Sequence, residues 1–175
     1  TKLPSLGQID YDELEAGLVL QSAGLLAGGV DGIMVETVQD IMQLKAAVNG
    51  ARKAMTDAGR KVPLLTQITI ETTGTLLVGT DIGGAATVIH ALGVDAIGLN
   101  CATGPREMAE HLRWLSEQWP GLVSVQPNAG LPELINGKSS YPLTPSELVD
   151  WARRFVVEDG VNMIGGCCGT VTEHI

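Results

Sequence analysis

The residues best equipped for chemistry in this chain are its three cysteines. Cys167 and Cys168 are adjacent, within Ile164-Gly165-Gly166-Cys167-Cys168-Gly169-Thr170, and follow the apolar run Gly160-Val161-Asn162-Met163-Ile164. Cys101 ends a similar run, Asp95-Ala96-Ile97-Gly98-Leu99-Asn100. All three therefore sit where a buried strand gives way to a loop. Thiolates so placed suit a thiophilic metal, with zinc the first candidate. Catalytic zinc keeps three protein ligands and one open position. A tris-thiolate zinc centre is a modest Lewis acid and favours a soft fourth ligand, above all a substrate thiol. A free thiol, with a pKa of about 8.5, is mostly protonated at neutral pH, and coordination removes that proton. The reaction class this points to is alkylation of a thiol. Two other readings stand beside it: buried cysteines acting as small hydrophobes, and a redox pair, for which there is no Cys-x-x-Cys spacing.

Both members of a vicinal pair rarely ligate one ion, because successive strand side chains diverge. Gly165, Gly166 and Gly169 are expected to relax that limit by adopting backbone angles closed to other residues.

The elements that must position the cysteines follow a rhythm. After a loop over 1–9, Asp10 or Asp12 caps a helix reaching about Ala27, with Gly28-Gly29 behind it. Gly32 to Val35 reads as a strand, and a helix follows over 38–58. Residues 63–70 form the next strand, a Gly/Thr-rich loop runs to Thr80, and Asp81 caps a helix to Leu92. Asp95 to Leu99 is a strand, and Pro105 opens a helix to about Gln118. Leu122 to Gln126 is a strand, a loop runs to Leu143, and Thr144-Pro145-Ser146-Glu147 opens a helix to about Glu158. Val161 to Ile164 is the last strand.

Continuous apolar strands alternating with helices at a spacing of roughly thirty residues mean an α/β fold with a parallel sheet. No glycine fingerprint of a dinucleotide-binding sheet follows the first strand. Every strand instead ends in polar or sulfur residues, as in an eight-stranded (β/α)8 TIM-type barrel, whose active site lies at the C-terminal ends of its strands. Such a barrel takes about 250 residues. The 175 residues here read as a partial barrel holding about the last five β/α units. Residues 1–175 are then one unit, the C-terminal part of a zinc barrel domain whose N-terminal units are absent.

The net charge of −9 and the lack of a Lys/Arg cluster argue against nucleic acid as a partner. No apolar run has the length of a membrane span. No basic-then-apolar leader is present, so a cytoplasmic location is expected, with reduced thiols.

Gly98-Leu99-Asn100-Cys101-Ala102-Thr103-Gly104-Pro105, Pro127-Asn128-Ala129-Gly130-Leu131-Pro132 and Gly165-Gly166-Cys167-Cys168-Gly169-Thr170 resemble, in order, the motifs of the zinc homocysteine methyltransferases. The middle segment resembles most the homocysteine-binding module of cobalamin-dependent methionine synthases. The resemblance implies that Cys101, Cys167 and Cys168 hold Zn²⁺. Homocysteine sulfur would take the fourth position and receive the methyl group of methylcobalamin, forming methionine. Glu36 matches the family carboxylate that contacts the substrate amino group, while Asn100, Asn128, Gly165 and Gly166 match positions that support the ligands. Cobalamin-binding and folate-binding modules of the same polypeptide are implied as partners. Open barrel edges would also favour self-association. The alternatives within this reading are S-methylmethionine or betaine as methyl donor, or a non-catalytic, zinc-stabilised half-barrel that docks other modules. Two departures stand out: the glycine-rich first β/α loop of the family is missing, and Gln126 precedes Pro127 where some relatives place His.

His90, His111 and His174 are read as packing, surface and helix-start residues, and Trp114, Trp119 and Trp151 as packing residues. Asp10-Tyr11-Asp12-Glu13 is read as a cap and solvated face.

Overall fold

Five short apolar segments pair side by side, in the order in which they occur in the chain. The computed structural model describes residues 2–175. Its α-helices and strands are α1 (Tyr11–Ala27), β1 (Ile33–Val38), α2 (Ile41–Asp57), β2 (Leu64–Ile68), α3 (Ile82–Leu92), β3 (Ala96–Asn100), α4 (Pro105–Gln118), β4 (Leu122–Gln126), β5 (Glu133–Ile135), β6 (Lys138–Ser140), α5 (Pro145–Val157) and β7 (Met163–Ile164), with short 3-10 turns at Pro4–Leu6 and Thr172–His174. The parallel sheet runs β1-β2-β3-β4-β7. Helical crossovers between parallel strands are right-handed, so a sheet that never reverses its order carries all its helices on one face. A doubly wound sheet reverses and carries them on both. The chain is thus a sector of a β/α barrel, as its rhythm implied, with free edges at β1 and β7.

The two faces of the sheet differ as a barrel requires. Ile33, Leu64, Ile68, Ile97, Leu99, Val123 and Val125 join one buried core with Leu44, Val48, Ile89, Leu112 and Phe155 from the helices. The alternate residues face the barrel interior and are more polar. Gln67 Nε2 donates to Ser124 Oγ at 2.7 Å, and Gln67 and Gln126 both approach Met34 Sδ at 3.7 Å. Gly98 lies between them, because a Cβ there would stand 2.4 Å from Gln67 Oε1 and 2.5 Å from Ser124 O.

Helix entries follow local chemistry. Asp40 caps α2 through Met42 N at 2.8 Å, and Asp81 caps α3 through Gly84 N at 2.7 Å. Thr144 and Glu147 form the capping box of α5. Asp10 holds the cap position of α1 without a side-chain hydrogen bond. α1 shows no single apolar face, and Leu20 remains 75% exposed. Its Leu14, Leu18 and Leu25 line a groove of about 380 Å³ along the free edge of β1. Among the described residues no helix is long and apolar enough to cross a membrane.

Three expectations are corrected. The first strand continues to Val38 across a register shift at Thr37, so the following helix starts at Ile41 rather than Val38. The last strand is only Met163–Ile164. The segment between Pro132 and Leu143 is not a plain loop. It holds the β5–β6 hairpin, turned by Asn136 (φ 52°) and Gly137 (φ 74°). Asn-Gly is the preferred pair for a tight hairpin turn with two positive φ angles.

Candidate metal centre

Cys101 begins where β3 ends. Two consecutive left-handed residues, Cys101 (φ 62°) and Ala102 (φ 59°), swing the chain off the strand. For residues with a Cβ this conformation costs about 1–2 kcal/mol each. Neighbouring backbone holds it: Cys101 N donates to Gln126 O at 3.2 Å, Thr103 N to Cys101 O at 2.7 Å, and Asn128 N to Thr103 O at 3.1 Å.

The vicinal pair is held differently. β7 contributes two residues and one neighbour, so the pair leans on the segment after β4. Cys167 N donates to Pro127 O at 2.8 Å and Ala129 N to Cys168 O at 2.9 Å. Cys168 N donates to Asn128 Oδ1 at 3.0 Å, and Thr170 Oγ1 donates to Cys167 O at 2.7 Å. The glycines serve close packing more than unusual angles. Gly165 and Gly166 have no positive φ, contrary to the expectation. A Cβ on Gly165 would meet Gln126 at 3.1 Å, and one on Gly166 would meet Thr170 Oγ1 at 2.5 Å. Gly169 does adopt φ +79°, and Tyr141 lies so close that a Cβ would sit 2.2 Å from its Cγ.

These two arms bring the three sulfur atoms together. Cys101 Sγ is 3.8 Å from Cys168 Sγ, Cys167 Sγ is 4.0 Å from Cys168 Sγ, and all three lie within 4.8 Å of one another. A disulfide needs about 2.05 Å, so the thiols are unbonded. Tetrahedral zinc with Zn–S bonds of about 2.3 Å holds its sulfurs about 3.8 Å apart. The donor set and its spacing therefore fit a soft, four-coordinate ion with one position left over. Cys168 is exposed and the other two are half-buried, so the cluster opens to the surface. The Cys167 thiol is pushed up to about 12, by burial first and then by the neighbouring sulfurs. A cation among these sulfurs would reverse that cost.

Asn100 is buried and donates through Nδ2 toward Cys167 Sγ at 3.9 Å. Asn128 is also buried and acts on the backbone of Cys168. Glu36 is exposed at the free edge of β1, beside the groove against α1. It lies outside the sulfur cluster. Two residues beside the site carried no clear sequence signal. Thr37 adopts φ 55° in the bulge of β1 and bonds to Asn100, and Tyr141 covers Gly169. The histidines stay apart from the cluster. His90 meets Trp119 edge-on at 5.7 Å. Burial lowers the pKa of half-buried His111. His174 accepts from Val171 N at 3.2 Å and contacts Leu143 O at 3.0 Å, tying the tail to the entry of α5.

The family model described as homocysteine S-methyltransferase matches residues 1–175. The chain belongs to the homocysteine S-methyltransferase family. It is 53% identical over 175 residues to the methionine synthase of Mycobacterium tuberculosis, covering 100% of this chain and 15% of the relative. It is 52% identical to that of Mycobacterium leprae, covering 14% of that protein. The chain thus spans about one-seventh of the length of these relatives. Among solved structures it resembles the Escherichia coli homocysteine methyltransferase MmuM. The apo form gives a TM-score of 0.68 at 20% identity over 93% of this chain and 54% of the other. The metallated form gives 0.68 at 20% identity over 93% and 49%. At that identity the likeness bears on the fold alone.

Proposed function

We propose that this chain is the homocysteine-activating part of a methionine synthase. Cys101, Cys167 and Cys168 would hold Zn²⁺, and residues 1–175 would form the later five β/α units of its barrel domain. The observation that carries this reading is the spacing of the three sulfurs, which matches one tetrahedral face. Bound zinc would supply the Lewis acid that lets a substrate thiol lose its proton at neutral pH. The protein's part is to orient and shield. The three cysteines would supply three of four ligand positions, leaving one for a substrate sulfur, and the exposure of Cys168 gives that sulfur access. Asn100 and Asn128 hold the pair in place, and Gly165 and Gly166 let Gln126 and Thr170 close around it. Glu36 would receive the ammonium group of homocysteine. Homocysteine sulfur would then take the methyl group of methylcobalamin presented by a cobalamin-binding module, giving methionine. A folate-binding module would recharge that donor. The free edges of β1 and β7 would pair with further strands or with a second copy, and the setting would be the reducing cytoplasm.

The test is metal content and metal environment in the full-length protein. About one zinc per chain is expected, lost on Cys101→Ser, Cys167→Ser or Cys168→Ser. X-ray absorption at the zinc edge should show a light-atom ligand replaced by sulfur when homocysteine is added. Undiminished zinc in all three variants would overturn the reading. Zinc that is indifferent to homocysteine would favour a non-catalytic docking role.

A further inference from the structure

The Asn100 side chain is tied at once to Thr37 of β1 and to a cysteine, and it lies beside Thr69, the residue that follows β2. It is the last residue of β3 and 1% exposed. Oδ1 accepts from Thr37 N at 3.0 Å. An N–H only donates, which fixes the orientation of the amide. Nδ2 then has two hydrogens, one directed to Thr37 Oγ1 at 3.0 Å and one to Cys167 Sγ at 3.9 Å. Thr69 Oγ1 closes the arrangement, donating to Asn100 O at 3.1 Å and approaching Oδ1 at 3.5 Å.

The partner at the other end is a residue under strain. Thr37 is β-branched and adopts φ 55°, where the β1 register shifts between Val35 and Val38. Such a conformation persists only where the surroundings hold it. The doubly bonded Asn100 amide supplies that hold, and the residue it fixes follows Glu36 directly. One amide thus holds the backbone that carries the carboxylate with one hand and a sulfur with the other.

We propose that Asn100 is a positioning residue for substrate length, with Thr37 as its lever. It would set the separation between the Glu36 carboxylate and the metal-bound sulfur, and so select an aminothiol of homocysteine's length over the one-methylene-shorter cysteine. This rests on the zinc–aminothiol reading above. A primary amide meets the demand because Oδ1 accepts from Thr37 N while Nδ2 donates to Thr37 Oγ1 and toward sulfur. A carboxylate would place a second negative charge against the thiolates.

The experiment uses the full-length protein loaded with Co²⁺, whose thiolate charge-transfer bands report the sulfur ligands, titrated with homocysteine and with cysteine. In Asn100→Ala the preference for homocysteine should fall about 10-fold or more, while Asn100→Asp should weaken metal binding about 10–100-fold in chelator competition. Thr37→Gly tolerates the left-handed angle, keeps the backbone donor and loses the hydroxyl. It therefore guards against misfolding of the Asn100 variants, and it should shift the preference in the same direction by a smaller factor. Unchanged homocysteine-to-cysteine ratios in folded Asn100→Ala and Thr37→Gly would overturn the proposal. A wild-type protein that binds neither Co²⁺ nor Zn²⁺ would instead overturn the zinc reading, so the two failures are distinguishable.

Discussion

The two arms of the cysteine cluster are built on opposite principles. Cys101 extends from β3, a strand of five buried residues paired on both sides. Its loop stores strain in two left-handed residues that this framework can hold. Cys167 and Cys168 follow a two-residue strand paired on one side. They are fastened by hydrogen bonds to Pro127, Asn128 and Ala129 rather than by their own strand. A metal ion between them would join a rigid arm to a pliant one, and the pliant arm should respond first when the ion is removed.

The sharpest way to break this contrast is to strip the metal from the full-length protein and follow amide hydrogen exchange. Protection over 166–170 should fall by orders of magnitude, while 96–100 stays near its holo level. Equal loss in both arms would mean that they are one cooperative unit.

Gly169→Ala should be the next largest perturbation. The added methyl collides with Tyr141 and the φ of +79° resists any Cβ. A stability loss of at least about 2 kcal/mol is expected in denaturant titrations, with weakened metal binding. Asn128→Ala removes the side-chain acceptor for Cys168 N and should lower metal affinity about 10–100-fold, measured by chelator competition.

Acidity gives a test with opposite signs in the two metal states. At neutral pH the Cys167 thiol, pushed up to about 12, carries its proton. A binding metal must displace it, so affinity should rise with pH by about tenfold per unit for that one thiol. In the metal-free protein the folded state binds this proton more tightly than the unfolded chain does. The contribution to stability is therefore complete below about pH 9 and is lost as pH rises toward 12. Melting curves with and without zinc across this range should diverge.

The smallest effect belongs to the rigid arm. Ala102→Gly relieves one strained angle and should stabilise by about 0.5–1 kcal/mol, leaving metal affinity unchanged. A large change in affinity would show that the strain itself tunes the site.

The β/α rhythm was legible because buried parallel strands read as apolar runs, and the helix starts because Asp81, Pro105 and Thr144-Pro145 act locally. The turn Asn136-Gly137 was also legible in principle. Its strands, Glu133–Ile135 and Lys138–Ser140, are short and exposed and lack alternation, so the sequence around the turn carries no strand signal. The bulge at Thr37 was not legible at all. Nothing in Val35-Glu36-Thr37-Val38 favours a left-handed residue, and the bond that holds it comes from Asn100, distant in sequence. For the same reason the glycines beside the cysteines suggested unusual angles when two of them answer to close neighbours, Gln126 and Thr170. Residue types announced the sulfur cluster, whereas the contacts that arrange it depend on which loops meet.

The brevity of β7 bears on how the chain folds. Strands β1 to β4 can zip together in order, each pairing with the strand just completed. β7 must wait for the hairpin and α5, and its two residues then form two register pairs with β4, Ser124↔Met163 and Val125↔Ile164. It should be the last strand to dock, so metal capture would act as a late latch on an already assembled sheet. Pulse-labelled refolding of the full-length protein should find this strand protected last, and earlier when zinc is present.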